Sequence, residues 1–515
     1  MTHGEPVCTT RQGVVRGRLT GSGVSAFLGI PYAAAPRFAP PVGPESWQGV
    51  REASACGPTA PKAPYAPPFD ALIPEDSIPG GDGRHDKDGE HDEDGEHDKD
   101  GEHGKDRGHG RDFLNLNVWT PSPGPGSRLP VLVWLHGGAF ANGSGSASAY
   151  NGSAFARDGV VCVTLNYRLG AEGFLHLDGV PDNRGLLDQI AALEWVRDNI
   201  GAFGGDPDRV TVFGESAGAM SIGVLLTMDR SQGLFRRAIL QSGAAHHFLR
   251  PESARLITAR LAEKLAVTHP TREAFAAVPL PELLRAQAEL RAEIGARPDP
   301  ALWGEAALNM MPFEPVTDGL RLPGPECGVE LLVGSNREEY RLFLVPTERL
   351  DVLSERKLRA TAAAYGLDPD KALPVYREAR PEAVPGEIFD AVATDWFYRI
   401  PAIRLAEAVP GSYMYEFARR SPRFDGRLGA CHGSELAFVF DNLHDPAYAP
   451  MIGDGPQQEV ADAMHGAWVA FATTGDPGWA PYDAGGSRTT MVFDEVSGPV
   501  TDPRGQERAL WDGVR

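Results

Sequence analysis

Residues 209–221, RVTVFGESAGAMS, combine a short apolar run typical of a β-strand, a turn of small residues and the start of an apolar helix. The turn reads GESAG, with Ser216 at its centre. A serine on a sharp turn between strand and helix is held in a strained backbone conformation, and the residues two positions away must be small to avoid adjoining backbone. The helix behind it begins with N–H groups that lack intrahelical partners. This context predicts a nucleophile elbow that exposes the Ser216 hydroxyl at the end of a strand.

Strand-like and helical segments alternate along the chain. A helical pattern at 186–200 ends at Gly201. Short runs rich in Val, Leu and aromatic residues predict strands at 131–135, 160–167, 209–213, 236–241, 329–334 and 413–418. This alternation predicts an α/β fold with a central, mostly parallel sheet flanked by helices. The helix-biased residues 251–312 and 345–410 are expected to form cap segments beside the site.

Eleven segments form a set of motifs that runs nearly end to end. The longest is the block at 183–221, which contains the elbow. The others are GVVRG (13–17), FLGIPYAAAPRFAPP (27–41), LNLNVWTP (114–121), VLVWLHGGAF (131–140), NYRLGAEGFL (166–175), LQSG (240–243), FEPVTDG (313–319), GSNREEY (334–340), CHGSELAFVF (431–440) and AWVAFATTGDP (467–477). Together they resemble the type-B carboxylesterase family of the α/β-hydrolase fold. The resemblance implies one domain over 1–515 with helical cap insertions.

The predicted nucleophile needs a base to accept its proton and a carboxylate to orient the base. With 14 histidines and 70 acidic residues, composition leaves both partners open. The resemblance implies His432 as the base, in a loop after the predicted strand at 413–418, and Glu339 as the carboxylate, just after the predicted strand at 329–334. Glu338 is the alternative acid. The family usually reads Asp-Glu-Gly where this chain has Glu-Glu-Tyr, so Tyr340 departs from the pattern.

The segment HGGAF at 136–140 suits the binding of an oxyanion. Its glycines let backbone N–H groups approach a substrate closely. The resemblance implies that the N–H groups of Gly138 and Ala139 act with that of Ala217, and that Gly137 shapes the turn.

Four other residues lie within or next to the motifs. The resemblance implies that Glu215 and Ser242 are buried polar residues in the second layer around the site. His136 is expected to pack or hydrogen-bond structurally. Cys431 adjoins the candidate histidine and is expected to be an uninvolved thiol.

The length and net charge of the chain limit the size of its core and the partners that it can bind. The chain of 515 residues is long enough to bury a large core, and its net charge is −21. Such an acidic chain is a poor partner for nucleic acid or an anionic membrane. The first residues lack the features of a signal peptide, and no run approaches 18 apolar residues. We therefore expect no membrane association.

Five cysteines at uneven spacings fit neither a metal nor a redox motif. Secreted relatives often carry a cysteine where this chain has Phe113, so the resemblance implies free thiols and a cytoplasmic location. No metal or organic cofactor is implied. The expected partner is a small-molecule ester, and the expected state is a monomer or weak homo-oligomer.

Residues 82–111 form a six-residue repeat that places a histidine at every sixth position. The repeat contains twelve acidic and six basic residues and no apolar residue. Such a segment cannot offset its ordering entropy by burial, so the sequence predicts disorder. An expanded low-complexity insertion is the plainest interpretation, and capture of divalent metal by His and Asp is the alternative.

The motifs predict hydrolysis of carboxylic esters, small or aryl, through an acyl-serine intermediate. A lipase or an amide or carbamate hydrolase would use the same machinery. A non-catalytic binding protein is a further alternative. The presence of all three candidate catalytic residues argues against it: Ser216, Glu339 and His432.

Overall fold

The computed structural model describes residues 5–73 and 112–515. The His-rich repeat at 82–111 lies outside these ranges. Within the described residues, no helix combines the length and apolar character needed to cross a membrane.

Fourteen strands are present in the described residues. In chain order they are β1 Val7–Thr9, β2 Val14–Arg16, β3 Arg18–Leu19, β4 Ser25–Pro31, β5 Val50–Glu52, β6 Asn115–Thr120, β7 Leu129–Leu135, β8 Val161–Leu165, β9 Gly205–Glu215, β10 Arg237–Gln241, β11 Glu330–Asn336, β12 Tyr413–Phe417, β13 Thr489–Phe493 and β14 Gly498–Thr501. Each of the six strands predicted from the sequence is among them.

Eleven of these strands form one large sheet, in the order β14-β13-β12-β11-β10-β9-β7-β8-β6-β4-β3. The strands from β8 to β13 in this order pair in parallel, and the pairs towards both edges are antiparallel. The central strands are buried on both faces, which explains their nearly continuous Val, Leu and Ile content. The predicted, mostly parallel sheet is therefore present. A small second sheet contains β1, β2 and β5.

Helices cover both faces of the sheet and fill the predicted cap segments. They are α1 Phe69–Leu72, α2 Ser153–Arg157, α3 Gly170–Phe174, α4 Arg184–Asn199, α5 Ala217–Leu225, α6 Pro251–Lys264, α7 Arg272–Ala277, α8 Leu280–Ala296, α9 Pro300–Trp303, α10 Ala306–Asn309, α11 Arg341–Leu344, α12 Glu355–Ala364, α13 Pro369–Glu378, α14 Pro385–Thr394, α15 Ile400–Ala408, α16 Leu436–Val439, α17 Ala449–Ile452, α18 Gln458–Thr474 and α19 Gly505–Ala509. Short 3₁₀ turns lie at Ser148–Tyr150, Ile200–Phe203, Asp229–Ser231 and Pro325–Cys327.

A π-helical turn, Asp395–Arg399, joins α14 to α15. Its ends are tied by an ion pair in which Arg399 Nε lies 2.6 Å from Asp395 Oδ1. The Tyr376 hydroxyl donates to Asp395 Oδ2 over 2.6 Å. Such insertions in a helix often lie at functional sites because they redirect side chains. Here the turn holds Phe397 and Tyr398 towards a large cavity.

The parallel strands end together at one edge of the sheet. Leu135 of β7 pairs with Gly214 of β9, and Glu215 of β9 pairs with Gln241 of β10. Gln241 in turn pairs with Gly334 of β11. The loops that follow these strands therefore converge at the carboxyl edge, where open α/β sheets place their sites.

Candidate active site

Ser216 lies between β9 and α5, where the sequence predicts the elbow. Its backbone has φ 53° and ψ −122°, outside the regions open to most residues. Glycine is required at 218, because a Cβ there would collide with the backbone carbonyl of Leu135 at the end of β7. The Ser216 N–H donates to the carbonyl of Gln241 over 2.9 Å. The neighbouring strands therefore hold the strained turn in place.

His432 and Glu339 meet at the carboxyl edge of the sheet. His432 Nδ1 lies 2.8 Å from Glu339 Oε2. The N–H of Asn336 donates to Glu339 Oε1 over 2.8 Å, and the N–H of His432 donates to the backbone carbonyl of Glu339 over 3.2 Å. Glu339 is fully buried. A carboxylate held in this way fixes the ring, and a proton on Nδ1 leaves Nε2 able to accept one.

Glu338, the alternative acid, is engaged elsewhere. Its Oε1 lies 2.7 Å from Arg420 Nη1 and 3.1 Å from Arg341 Nη2. Its Oε2 accepts the N–H of Ala430 over 3.0 Å. This carboxylate is therefore part of an ion-pair network, whereas that of Glu339 contacts the imidazole.

Glu215 approaches His432 from the other side of the ring. Its Oε1 lies 3.0 Å from His432 Nε2, without the alignment of a hydrogen bond. Burial alone would lower the pKa of His432, but the carboxylates of Glu215 and Glu339 outweigh it and raise this pKa well above its usual range. Ser242 follows β10, fully buried, and its hydroxyl has no hydrogen-bond partner among the described residues.

Glu435 brings a third carboxyl group into this cluster, and the sequence reasoning missed it. Its side chain is fully buried and accepts hydrogen bonds from Asn336 Nδ2 over 2.6 Å and Gln241 Nε2 over 3.2 Å. Burial, with the negative charges of Glu215 and Glu339, raises the pKa of Glu435 to about 8. Its position three residues after the histidine, within the same motif, was the available signal.

The HGGAF turn presents free N–H groups beside the elbow. Gly138 has φ 110°, and its carbonyl accepts the N–H groups of Ala141 over 3.0 Å and Asn142 over 2.9 Å. Among the described residues, no hydrogen bond uses the N–H of Gly138 or of Ala139. Ala217 is the first residue of α5, so its N–H lacks an intrahelical partner. The three N–H groups named from the sequence can therefore all donate hydrogen bonds to an anionic oxygen.

Aromatic side chains pack around the imidazole. The ring of Tyr398 lies 4.7 Å from that of His432, and the ring of Phe343 lies 5.9 Å away. Tyr340, the departure from the family pattern, packs 5.2 Å from Phe343 and 5.4 Å from Phe397. The tyrosine therefore adds to the aromatic wall and does not disturb Glu339. No short-range pattern in the sequence predicts this aromatic wall.

Two chambers open beside Ser216. The smaller chamber, of about 270 Å³, is lined by residues that include Glu215, His432, Gly433, Tyr448 and Met451. The larger chamber, of about 880 Å³, is lined by residues that include Met220, Leu284, Met310, Phe313 and Tyr398. Residues shared by both include Ala139, Asn142, Ser216 and Arg291. Volumes of this size accept small organic molecules.

His136 packs within the turn. Its Nδ1 lies 2.8 Å from the carbonyl of Gly137, and its ring stacks on Tyr167 with 4.4 Å between centroids. Burial lowers the pKa of His136 to about 3, so the ring is neutral. These contacts agree with the structural role expected of His136.

The thiols are all unpaired. Every cysteine lies in the described ranges, and none forms a disulfide: Cys8, Cys56, Cys162, Cys327 and Cys431. Burial raises the pKa of the Cys431 thiol well above its usual range, which makes it a poor nucleophile. Within residues 5–73 and 112–515, no group of three or more His, Cys, Asp or Glu could hold a metal ion.

Comparison with known proteins identifies the family of the chain. The model of the Carboxylesterase family matches residues 4–491. The chain belongs to the carboxylesterase family. The para-nitrobenzyl esterase of Bacillus subtilis (strain 168) is 35% identical over 544 residues, which cover 99% of this chain and 98% of the relative. The phenmedipham hydrolase of Pseudarthrobacter oxydans is 33% identical over 524 residues, with 95% of each chain covered.

Solved structures give the same assignment. The carboxylesterase EST55 of Geobacillus stearothermophilus has a TM-score of 0.79 and 36% identity, covering 98% of this chain and 99% of its own. A para-nitrobenzyl esterase structure has a TM-score of 0.77 and 33% identity, with the same coverage. The fold is therefore the predicted α/β-hydrolase fold, and this carboxylesterase is an enzyme that hydrolyses carboxylic esters.

Proposed function

We propose that this carboxylesterase acts through an acyl-serine intermediate, with Ser216 as nucleophile, His432 as base and Glu339 as the carboxylate that orients the base. The observation that carries the proposal is the 2.8 Å contact between His432 Nδ1 and Glu339 Oε2, beside the strained turn of Ser216. Ser216 and His432 both line the smaller chamber.

Each step of the proposed reaction uses a group at this site. His432 Nε2 takes the proton of the Ser216 hydroxyl as its oxygen attacks the ester carbonyl carbon. The tetrahedral intermediate then collapses: the bond to the alcohol oxygen breaks, and that oxygen receives the proton from Nε2. Water attacks the acyl-serine in the same way, which releases the acid and restores the Ser216 hydroxyl.

The oxyanion of the tetrahedral intermediate would be bound by the N–H groups of Gly138, Ala139 and Ala217. Such donors are preorganised, so they need no rearrangement when the charge forms. Glu215 supports the step from the other side, because its charge beside His432 stabilises the imidazolium that forms at the same time. Ser242 lies behind the elbow as a buried polar residue and has no direct role.

Small or aryl esters are the proposed substrates. The aromatic and apolar linings of both chambers favour acyl and alcohol groups of this kind. Lipase, amidase and carbamate hydrolase activities use the same machinery and stay as alternatives. A series of nitrophenyl esters of increasing acyl length, with the matching nitroanilides and carbamates, distinguishes them by kcat/KM.

Substitution of the nucleophile tests the proposal. We expect Ser216→Ala to lower kcat for a nitrophenyl ester on the order of 10⁴-fold, since the oxyanion donors alone leave little activity. Ser221→Ala on α5 is the matched control. Its hydroxyl is buried and bonded to Gln189 Nε2 over 3.1 Å, and it should keep kcat within about threefold. Equal activity of Ser216→Ala and wild type would refute the assignment.

Several sequence predictions stay predictions. Metal capture by the repeat at 82–111 concerns residues outside the described ranges. The single-domain organisation, the cytoplasmic location and the monomeric or weakly oligomeric state follow from the sequence reasoning alone.

A further inference from the structure

The charged residues that line the larger chamber are opposite in sign to the net charge of the chain. Its described lining residues include three cations, Arg291, Arg349 and Lys357, and no Asp or Glu. The whole chain has 70 acidic and only 49 basic residues. The described part of this lining carries cations alone and is therefore a local reversal of the overall charge.

None of these three cations has an ion-pair partner among the described residues. The guanidinium of Arg291 is half-buried, and its one described hydrogen bond runs from Nη1 to Asn142 Oδ1 over 3.2 Å. That acceptor is neutral. A guanidinium has five N–H donors, so most of the hydrogen-bonding capacity of Arg291 is left for another group.

Other buried arginines in this protein either pair with carboxylates or, like Arg184, donate to several backbone carbonyls. Arg168 lies 2.6 Å from Asp188, and Arg399 lies 2.6 Å from Asp395. On the same helix as Arg291, the exposed Arg285 lies 2.5 Å from Glu289. A cation held at a cavity wall without a counter-charge costs free energy, and an anion supplied by a bound ligand would offset this cost.

The position of His432 indicates which part of an ester reaches Arg291. In the proposed mechanism His432 gives its proton to the leaving alcohol, and it lines the smaller chamber only. The alcohol therefore occupies the smaller chamber, and the acyl group extends into the larger one. Arg291 lines both chambers, beside the point where the two meet at Ser216.

We propose that the larger chamber binds acyl groups that end in a carboxylate, so that half-esters of dicarboxylic acids are preferred substrates and Arg291 determines this specificity. The proposal rests on the acyl-serine mechanism above. Arg291 would hold the far carboxylate by charge-assisted hydrogen bonds. Arg349 and Lys357 are exposed at the mouth and attract the anion as it enters.

The test compares matched pairs of substrates. These are 4-nitrophenyl half-esters of adipic, pimelic and suberic acids, and the same compounds with the far carboxyl group methylated. Each pair differs in charge but shares the leaving group and the chain length. The variants are Arg291→Met, which removes the charge at similar length, Arg291→Lys, which keeps it, and Arg285→Met as the control on the same helix.

We expect Arg291→Met to lower kcat/KM for the half-esters about tenfold or more, mainly through KM, and to leave the methyl diesters within about threefold. Arg291→Lys should recover part of the loss, and Arg285→Met should change neither substrate. Raising the salt concentration should weaken the preference of the wild type for the half-esters.

Three results would overturn the proposal. The first is an equal loss for half-esters and diesters in Arg291→Met, which would mean that Arg291 only positions Asn142 and the HGGAF turn. The second is a wild type that hydrolyses the diesters well but discriminates against the half-esters, and this would leave the acyl-serine mechanism standing. A wild type that hydrolyses neither substrate would refute both the specificity and the mechanism on which it rests.

Discussion

His432 Nε2 lies 3.0 Å from Oε1 of Glu215, the residue that directly precedes Ser216. The imidazole is therefore placed between two carboxylates, with Glu339 on Nδ1. This arrangement favours the imidazolium, which is the form that the proposed mechanism requires while the tetrahedral intermediate exists. It also means that the neutral base is present only at higher pH, because the two carboxylates raise the pKa of His432.

The first prediction concerns the pH profile. The proposed mechanism needs neutral His432, so kcat/KM should fall as the pH drops below the pKa of His432. Glu215→Gln removes one of the charges that raise this pKa, and we expect the acid limb to move to lower pH by on the order of one unit. Glu263→Gln, at an exposed ion pair with Arg260, is the control for a lost charge. An acid limb that stays in place or moves to higher pH would contradict this account.

The second prediction separates the neighbouring acids. Glu339→Gln should lower kcat on the order of 10³- to 10⁴-fold, because an amide does not orient or stabilise the imidazolium as a carboxylate does. Glu338→Gln should mainly reduce stability, since Glu338 pairs with Arg341 and Arg420. Steady-state kinetics and thermal melting of both variants show which of the two acids orients His432. A larger loss of kcat in Glu338→Gln would show that the acid had been assigned one residue too late.

The third prediction concerns the buried Glu435. Its pKa is raised to about 8, so the folded protein keeps a proton that the unfolded chain releases above its ordinary pKa near 4.5. The stability contribution of this group should therefore fall as pH rises towards 8, by at most about 1.4 kcal/mol per pH unit, and level off above it.

Glu435→Gln cannot ionise and should lack this decline. The amide nitrogen that this substitution introduces is a donor facing the donors of Asn336 and Gln241, so the variant loses stability at every pH. The test therefore compares the pH slope of the unfolding free energy and not its absolute value. Urea unfolding of both proteins between pH 5 and pH 9 measures it. Parallel slopes for the variant and the wild type would show that Glu435 does not carry the proton.

The fourth prediction tests the packing of the elbow. Gly218→Ala would place a Cβ against the carbonyl of Leu135, and we expect a loss of about 1–3 kcal/mol or more in unfolding free energy. Gly466→Ala is the control, because this exposed glycine in α18 has open space around it. It should be neutral or stabilising by up to about 1 kcal/mol. Equal unfolding midpoints in urea for the two variants would contradict the account of the turn.

Local signals were enough to predict the sheet and the elbow. The strand at 209–213, the small residues beside Ser216 and the glycines of HGGAF are encoded in short stretches. The family resemblance added Glu339 and His432, which periodicity could not select. Their 2.8 Å contact agrees with that choice of register.

Other parts of the site depend on contacts between distant segments. Arg291 on α8 meets Asn142 across 149 residues of chain, and Tyr398 reaches His432 only through the π-helical turn. Glu435 lies within a predicted motif, but its raised pKa comes from burial and from the charges of Glu215, at the end of β9, and Glu339, in the loop after β11. Burial and neighbouring charges created by the fold cannot be read from a single segment of sequence.

Covalent labelling tests the central claim, that Ser216 is the nucleophile, most directly. The intact protein would be treated with a fluorophosphonate, which reacts with an activated serine, and then analysed by mass spectrometry of the whole chain and of its peptides. The account predicts one adduct per chain, located on Ser216, with activity lost in proportion to labelling and with much slower labelling in Glu339→Gln. An adduct on another residue that abolishes activity, or full activity in a protein labelled at Ser216, would contradict it.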